Sequence, residues 1–278
     1  MSASVLLVVL AGALLHASWN VLIKSRHDTH IATATLYIGA GTVAALALPL
    51  IPGPAPASWP YLAASIGVEV LYGVLLAAVY RTGDLSHAYP LMRGTAPLLV
   101  AVGSVVLIGV HLSETLWTGV VLVSGGVLFM IFDVRRRGHS GAATRLAALN
   151  AAVIATYTVI DGIGVRLSGQ PFAYGLWLFA LLAPPWVVWS LMRRLHAGQA
   201  WRQQIAVGVV GGGCSLASYT LALWAMARAP VAAVAAVRET SILFGMLLGA
   251  LVLHERITWV RALGAVAITA GVLVIRAA

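Results

Sequence analysis

Two arginines stand where a cation is expensive. Arg93, in Tyr89-Pro90-Leu91-Met92-Arg93-Gly94-Thr95-Ala96-Pro97, lies about two turns into an apolar run, and so does Arg238, in Val237-Arg238-Glu239-Thr240-Ser241. A charge in the hydrocarbon core costs about 3 kcal/mol even on the lenient insertion scale, so it needs a partner, a water-filled cavity or a ligand. A guanidinium matches a carboxylate bidentately and could hold a carboxylate solute. It could equally be locked to a buried acid, with Glu69 and Asp161 as the candidates for Arg93. We expect Glu69, Arg93, Asp161, Arg238 and Glu239 to form a charge network that holds or gates the structure. Glu69, Asp161 and His16 also have the chemistry of a proton relay, although nothing in the sequence orders them into a path.

A second set is aromatic. Trp19, Tyr72, Tyr157 and Tyr219 fall near the middle of long apolar runs, and Tyr89 opens another. Rings at that depth can line a pocket and stack on an aromatic solute, or simply pack. With His16 and Asn20 they form the expected substrate-binding set. Trp59, Trp117, Trp201 and Trp259 sit next to loops and fit an interfacial belt instead. No enzymatic signature is found. The Gly211-Gly212-Gly213 run lies inside an apolar stretch with no lysine after it, and there is no metal-spaced His/Cys cluster. Cys214 is the single cysteine, which excludes an internal disulfide. Neither catalysis, a cofactor nor a metal is expected.

The elements that must carry these residues are membrane helices. Of 278 residues 61% are hydrophobic and 9% charged, against about 25% charged in soluble domains. Mean hydropathy is +0.96. The apolar runs are about twenty residues long and do not alternate, which excludes a transmembrane barrel. Ten spans are expected: 3–24, 31–51, 59–80, 86–109, 115–133, 143–166, 172–194, 203–227, 231–253 and 257–275. Met1 to Leu15 is apolar without a basic leader region, so it is read as a retained first helix. The net charge of +9 does not indicate nucleic acid, because the basic residues lie in short loops, where they set topology.

Those residues also carry an internal repeat. At an offset of 145, Leu76, Ala77, Ala88, Arg93, Thr95 and Leu98 match Leu221, Ala222, Ala233, Arg238, Thr240 and Leu243. Gly119, Gly126, Val127 and Leu128 match Gly264, Gly271, Val272 and Leu273. The expected organisation is a first repeat over 1–133, a basic linker over 134–145 and a second repeat over 146–278. Five spans per repeat is an odd number, so the second half must be inverted, a recurring transporter architecture. Of the 17 lysines and arginines, Arg93 and Arg238 lie inside spans, twelve fall after odd-numbered spans, and Arg166, Arg228 and Arg276 fall on the other side. That bias puts both termini outside the cytoplasm.

Each half closes on a Glu near the last loop, then a Gly, then a second Gly seven residues on: Glu114, Gly119 and Gly126, and Glu255, Gly264 and Gly271. With ten spans in two repeats, and with His16-Ala17-Ser18-Trp19-Asn20 in the first, the chain resembles the EamA-type family of the drug/metabolite transporter superfamily. The resemblance implies an all-α polytopic protein of the bacterial inner membrane, with ten transmembrane helices in two inverted five-helix repeats around a central cavity. It also implies export of a small metabolite by alternating access. Aromatic or apolar amino acids are the nearest substrates, with methionine and threonine as further candidates. Sugars, nucleotide-sugars or organic anions remain open, as does a scaffold without transport. The first helix lacks the acid of the small multidrug relatives, which argues against proton-driven cation export. The implied partners are a small-molecule solute and the bilayer, with the chain acting as a monomer.

Overall fold

The computed structural model describes residues 1–24, 29–82, 85–133, 141–193, 199–252 and 257–278. Most of the expected linker, 134–140, and the basic loop residues Arg26, Arg194 and Arg256 lie outside the described residues. So do the side chains of Lys24, Arg81, Trp201 and Arg202. The helices are α1 (Ala3–Lys24), α2 (Thr29–Ala47), α3 (Trp59–Thr82), α4 (Leu85–Ile108), α5 (Glu114–Phe129), α6 (Gly141–Ser168), α7 (Pro171–Met192) and α8 (Gln199–Met226). They are followed by α9 (Val231–Arg238), α10 (Ser241–Val252) and α11 (Trp259–Ala277). Together they form 10 segments long and apolar enough to cross a membrane, α9 and α10 sharing one of them, and the described residues contain no strand. Helices satisfy their own backbone hydrogen bonds, which is why such apolar runs adopt them in lipid.

Local signals set the ends. Ser113 caps α5, its Oγ accepting from Leu116 N at 3.2 Å. Thr258, at the matching position of the second half, caps α11, its Oγ1 accepting from Arg261 N at 3.4 Å. Gly109 and Gly169, just past α4 and α6, take φ of 72° and 62°, a region glycine enters without steric penalty. Met1 N donates to Arg276 O at 3.1 Å, so both termini meet on one face, as an even number of crossings requires.

The halves interlock. α1 packs on α8 and α3 on α6, while sequence neighbours such as α1 with α2 and α3 with α4 barely touch. Ser218 Oγ donates to Gly12 O at 2.7 Å across the α1–α8 seam. Helices that the repeat makes equivalent face one another: α5 with α11, and α2 with α7. A Cβ on Gly126 would come within 2.8 Å of Gly264 O, and one on Gly271 within 2.8 Å of Gly119 O. Rising numbers on α5 thus meet falling numbers on α11, so the two run antiparallel. The repeat-marking glycines are where their backbones touch, and small residues permit that approach. On α2 and α7, Tyr37 stacks on Trp186 with ring centroids 4.9 Å apart, while Gly41 faces Ala183, so this pair is antiparallel too. Antiparallel equivalents are what an inverted repeat produces.

One expected helix is broken. The span 231–253 divides at Glu239 and Thr240, where Glu239 N and Thr240 N reach back three residues to Ala236 O and Val237 O at 3.0 Å. Thr240 Oγ1 adds a hydrogen bond to Val237 O at 2.7 Å. The cation of Arg238 ends α9, where the helix dipole favours it. The prolines behave differently: Pro90 and Pro97 lie within α4, and Pro184 and Pro185 within α7, without ending either helix.

Candidate functional site

The break opens onto a cavity in the middle of the bundle. Its volume is about 90 Å³. Its wall is drawn from α1, α2, α3, α4, α6, α7, α8 and α9. His16, Trp19, Asn20, Tyr72, Tyr89, Tyr157 and Tyr219, the expected binding set, all reach that wall. Glu69, Arg93 and Arg238 reach it as well. Asp161 and Glu239 stand outside the wall, bonded to residues that form it.

The aromatic side is a chain of edge contacts. Tyr72 meets Tyr157 at 5.8 Å between centroids, Tyr157 meets Tyr219 at 6.2 Å, and Phe179 meets Tyr219 at 6.2 Å. On α1, His16 and Trp19 are edge-to-face at 4.9 Å, and Asn20 Nδ2 donates to His16 O at 2.8 Å. These geometries are favourable between ring quadrupoles and fix the wall. Behind it lies Asp161, fully buried, taking a hydrogen bond on each carboxylate oxygen. Tyr174 donates to Oδ1 at 2.9 Å and Tyr219 to Oδ2 at 2.5 Å. A buried carboxylate with both oxygens satisfied is a stable arrangement, and it locks α6 to α7 and α8.

The two arginines differ. Arg93 Nε lies 3.0 Å from Glu239 Oε2. That is an ion pair by distance, although its angle falls short of hydrogen-bond geometry. Arg93 Nη2 also donates to Ser241 Oγ at 3.5 Å, at the start of α10. The partner of Arg93 is therefore Glu239 rather than Glu69 or Asp161. Arg238, half-buried, lays its guanidinium over the Tyr219 ring at 4.9 Å from the centroid. Among the described residues no carboxylate pairs with it. Glu69 is 7% exposed, and its Oε1 has no hydrogen-bond partner among the described residues.

The sequence reading missed Tyr37, Phe179, Ser215 and Ser218, which also line the cavity. Tyr37 and Phe179 lie as far inside α2 and α7 as the named aromatics lie inside their helices, so the same depth argument applies to them. The serines carry no such signal, since hydroxyls in apolar helices commonly bond to backbone. Arg166, by contrast, is structural: it donates to Met226 O at 3.0 Å and Ala229 O at 2.8 Å, closing the end of α8.

A solved chain described as "Crystal structure of protein" superposes with a TM-score of 0.76 at 19% identity, covering 99% of both chains, so the two share a fold over their full length. In all, 29 chains of solved structures match. Among curated proteins there is no match. The second half of this chain, residues 143–277, matches the EamA-like transporter family.

Proposed function

We propose that this protein is a bacterial inner-membrane carrier that exports amino acids and related small metabolites, aromatic or apolar in side chain, by alternating access. The family match over residues 143–277 supports a transporter. The observation that carries the proposal is the cavity itself. It is walled by aromatic rings with Glu69, Arg93 and Arg238 among them, and is bounded by helices of both repeats, 1–133 and 146–278. Solute sites at the interface of inverted repeats, beside a discontinuous helix, are a recurring transporter design.

Alternating access draws support from an asymmetry. α2 lies closely along α8: Gly212 faces Leu36 O, where an added Cβ would come within 2.6 Å. The equivalent pair, α7 and α3, is much looser, and Gly67, the counterpart of Gly212, has nothing within 4 Å of where its Cβ would be. The two seams that the repeat relates are thus packed unequally, as two halves that rock against one another would be in any one state. A phosphorylated solute fits less well, because it would want both arginines, and Glu239 engages Arg93. The test is flux from proteoliposomes loaded with labelled phenylalanine, tryptophan, methionine or threonine. Saturable, protein-dependent efflux of at least one is expected, and no flux of any ends the amino-acid reading.

A further inference from the structure

The repeat supplies two arginines and one glutamate beside them. Arg93 and Arg238 are equivalent at the offset of 145, but Glu239 is matched by Gly94. The structure shows which arginine that glutamate serves: Glu239 pairs with Arg93. Arg238 is left with the face of Tyr219 and, among the described residues, no carboxylate. On the same wall, Glu69 is more than nine-tenths buried with an unpartnered oxygen. A charge at membrane depth without a counter-ion is costly, and here a half-buried arginine and a buried glutamate face one cavity without pairing to each other. Asp161 does not compete for a ligand cation, since it stands behind the wall, held by the hydroxyls of Tyr174 and Tyr219.

We propose that the site selects zwitterions: Arg238 receives the α-carboxylate, Glu69 receives the α-ammonium, and Tyr72, Tyr157 and Phe179 receive the side chain. Arg93 holds the broken helix in place and does not contact the solute. This rests on the transport reading and sharpens it. It excludes simple organic anions, which would leave Glu69 unmatched, and simple amines, which would leave Arg238 unmatched.

The experiment measures displacement of labelled phenylalanine from purified protein in detergent, alongside flux in proteoliposomes. The competitors are phenylalanine, phenylalanine amide (no carboxylate) and N-acetylphenylalanine (no ammonium). Wild type should prefer phenylalanine to either blocked analogue by about 10- to 100-fold, the factor expected for one hydrogen bond to a charged group. Arg238→Gln should abolish discrimination against the amide while keeping it against the N-acetyl compound, and Glu69→Gln should do the reverse. Each selectivity is a ratio within one protein, so a general loss of folded material does not imitate it. Binding or flux of phenylalanine with equal tolerance of both analogues overturns the zwitterion assignment and spares the amino-acid reading. Failure of all three compounds to bind overturns the zwitterion assignment, and the amino-acid reading falls with it only if tryptophan, methionine and threonine also show no flux.

Discussion

Replacing Tyr219 by phenylalanine isolates one hydroxyl. The ring keeps its edge contacts with Tyr157 and Phe179 and its place under Arg238, so the apolar packing is retained. What goes is the donor to Asp161 Oδ2. Asp161 is fully buried, so bulk water cannot take the hydroxyl's place. A hydrogen bond to a charged group contributes about 1.5–3 kcal/mol, and a bond of 2.5 Å lies at the short end for oxygen donors. We therefore expect Tyr219→Phe to destabilise the protein by about 2 kcal/mol. Tyr174→Phe, at 2.9 Å from the other oxygen and off the cavity wall, should cost about the same or somewhat less. The assay is equilibrium unfolding in mixed micelles by SDS titration, followed by tryptophan fluorescence, as a double-mutant cycle with Asp161→Asn. Removing the charge turns the bond into a neutral one, so Tyr219→Phe should then cost about 1 kcal/mol or less, a coupling of about 1 kcal/mol. An equal cost in both backgrounds, or a cost below about 0.5 kcal/mol in the parent protein, would refute the reasoning.

Three further outcomes are expected. Glu239→Gln strands the Arg93 guanidinium in a buried site and should cost about 3 kcal/mol or more in the same unfolding assay, and Arg93→Gln added to it should recover part of the loss. Gly126→Ala drives a methyl group towards Gly264 O, a backbone atom that cannot swing aside, and should cost about 1–3 kcal/mol. Gly67→Ala meets open space and should be neutral or stabilising, so similar values for the two would contradict the packing described. A reporter fused to the C-terminus, which lies beside the N-terminus, should be active as alkaline phosphatase and dark as a cytoplasmic fluorophore, and the opposite pattern would reverse the orientation read from the loop arginines.

Much of this architecture was legible because membrane helices are written in composition and length, both local properties. The glycines at 119, 126, 264 and 271 stood out as a repeated pattern, and in the fold they are the touching points of α5 and α11. Depth along a span was enough to bring Trp19, Tyr72, Tyr157 and Tyr219 to one cavity, because helices packed around a common centre bring their middles to it. The partner of Arg93 was not legible. It depends on a break at Glu239 and Thr240, where neither proline nor glycine announces one, whereas the four prolines inside α4 and α7 announce breaks that do not occur. A helix interruption in lipid is decided by which neighbours re-satisfy the freed backbone groups, and that is tertiary information. The difference between Arg93 and Arg238 was hidden for the same reason: the repeat makes them look alike, and a single unmatched Glu239 separates them.

The glycine seam between α5 and α11 has a bearing on how this protein can change over time. Neither helix gives a residue to the cavity, yet together they form one of the most closely fitted surfaces in the bundle. Framework and recognition are thereby assigned to different helices. Mutations can retune what the chamber accepts through the other helices while the keel formed by these two stays fixed, and a methyl group in the keel is felt by both halves at once.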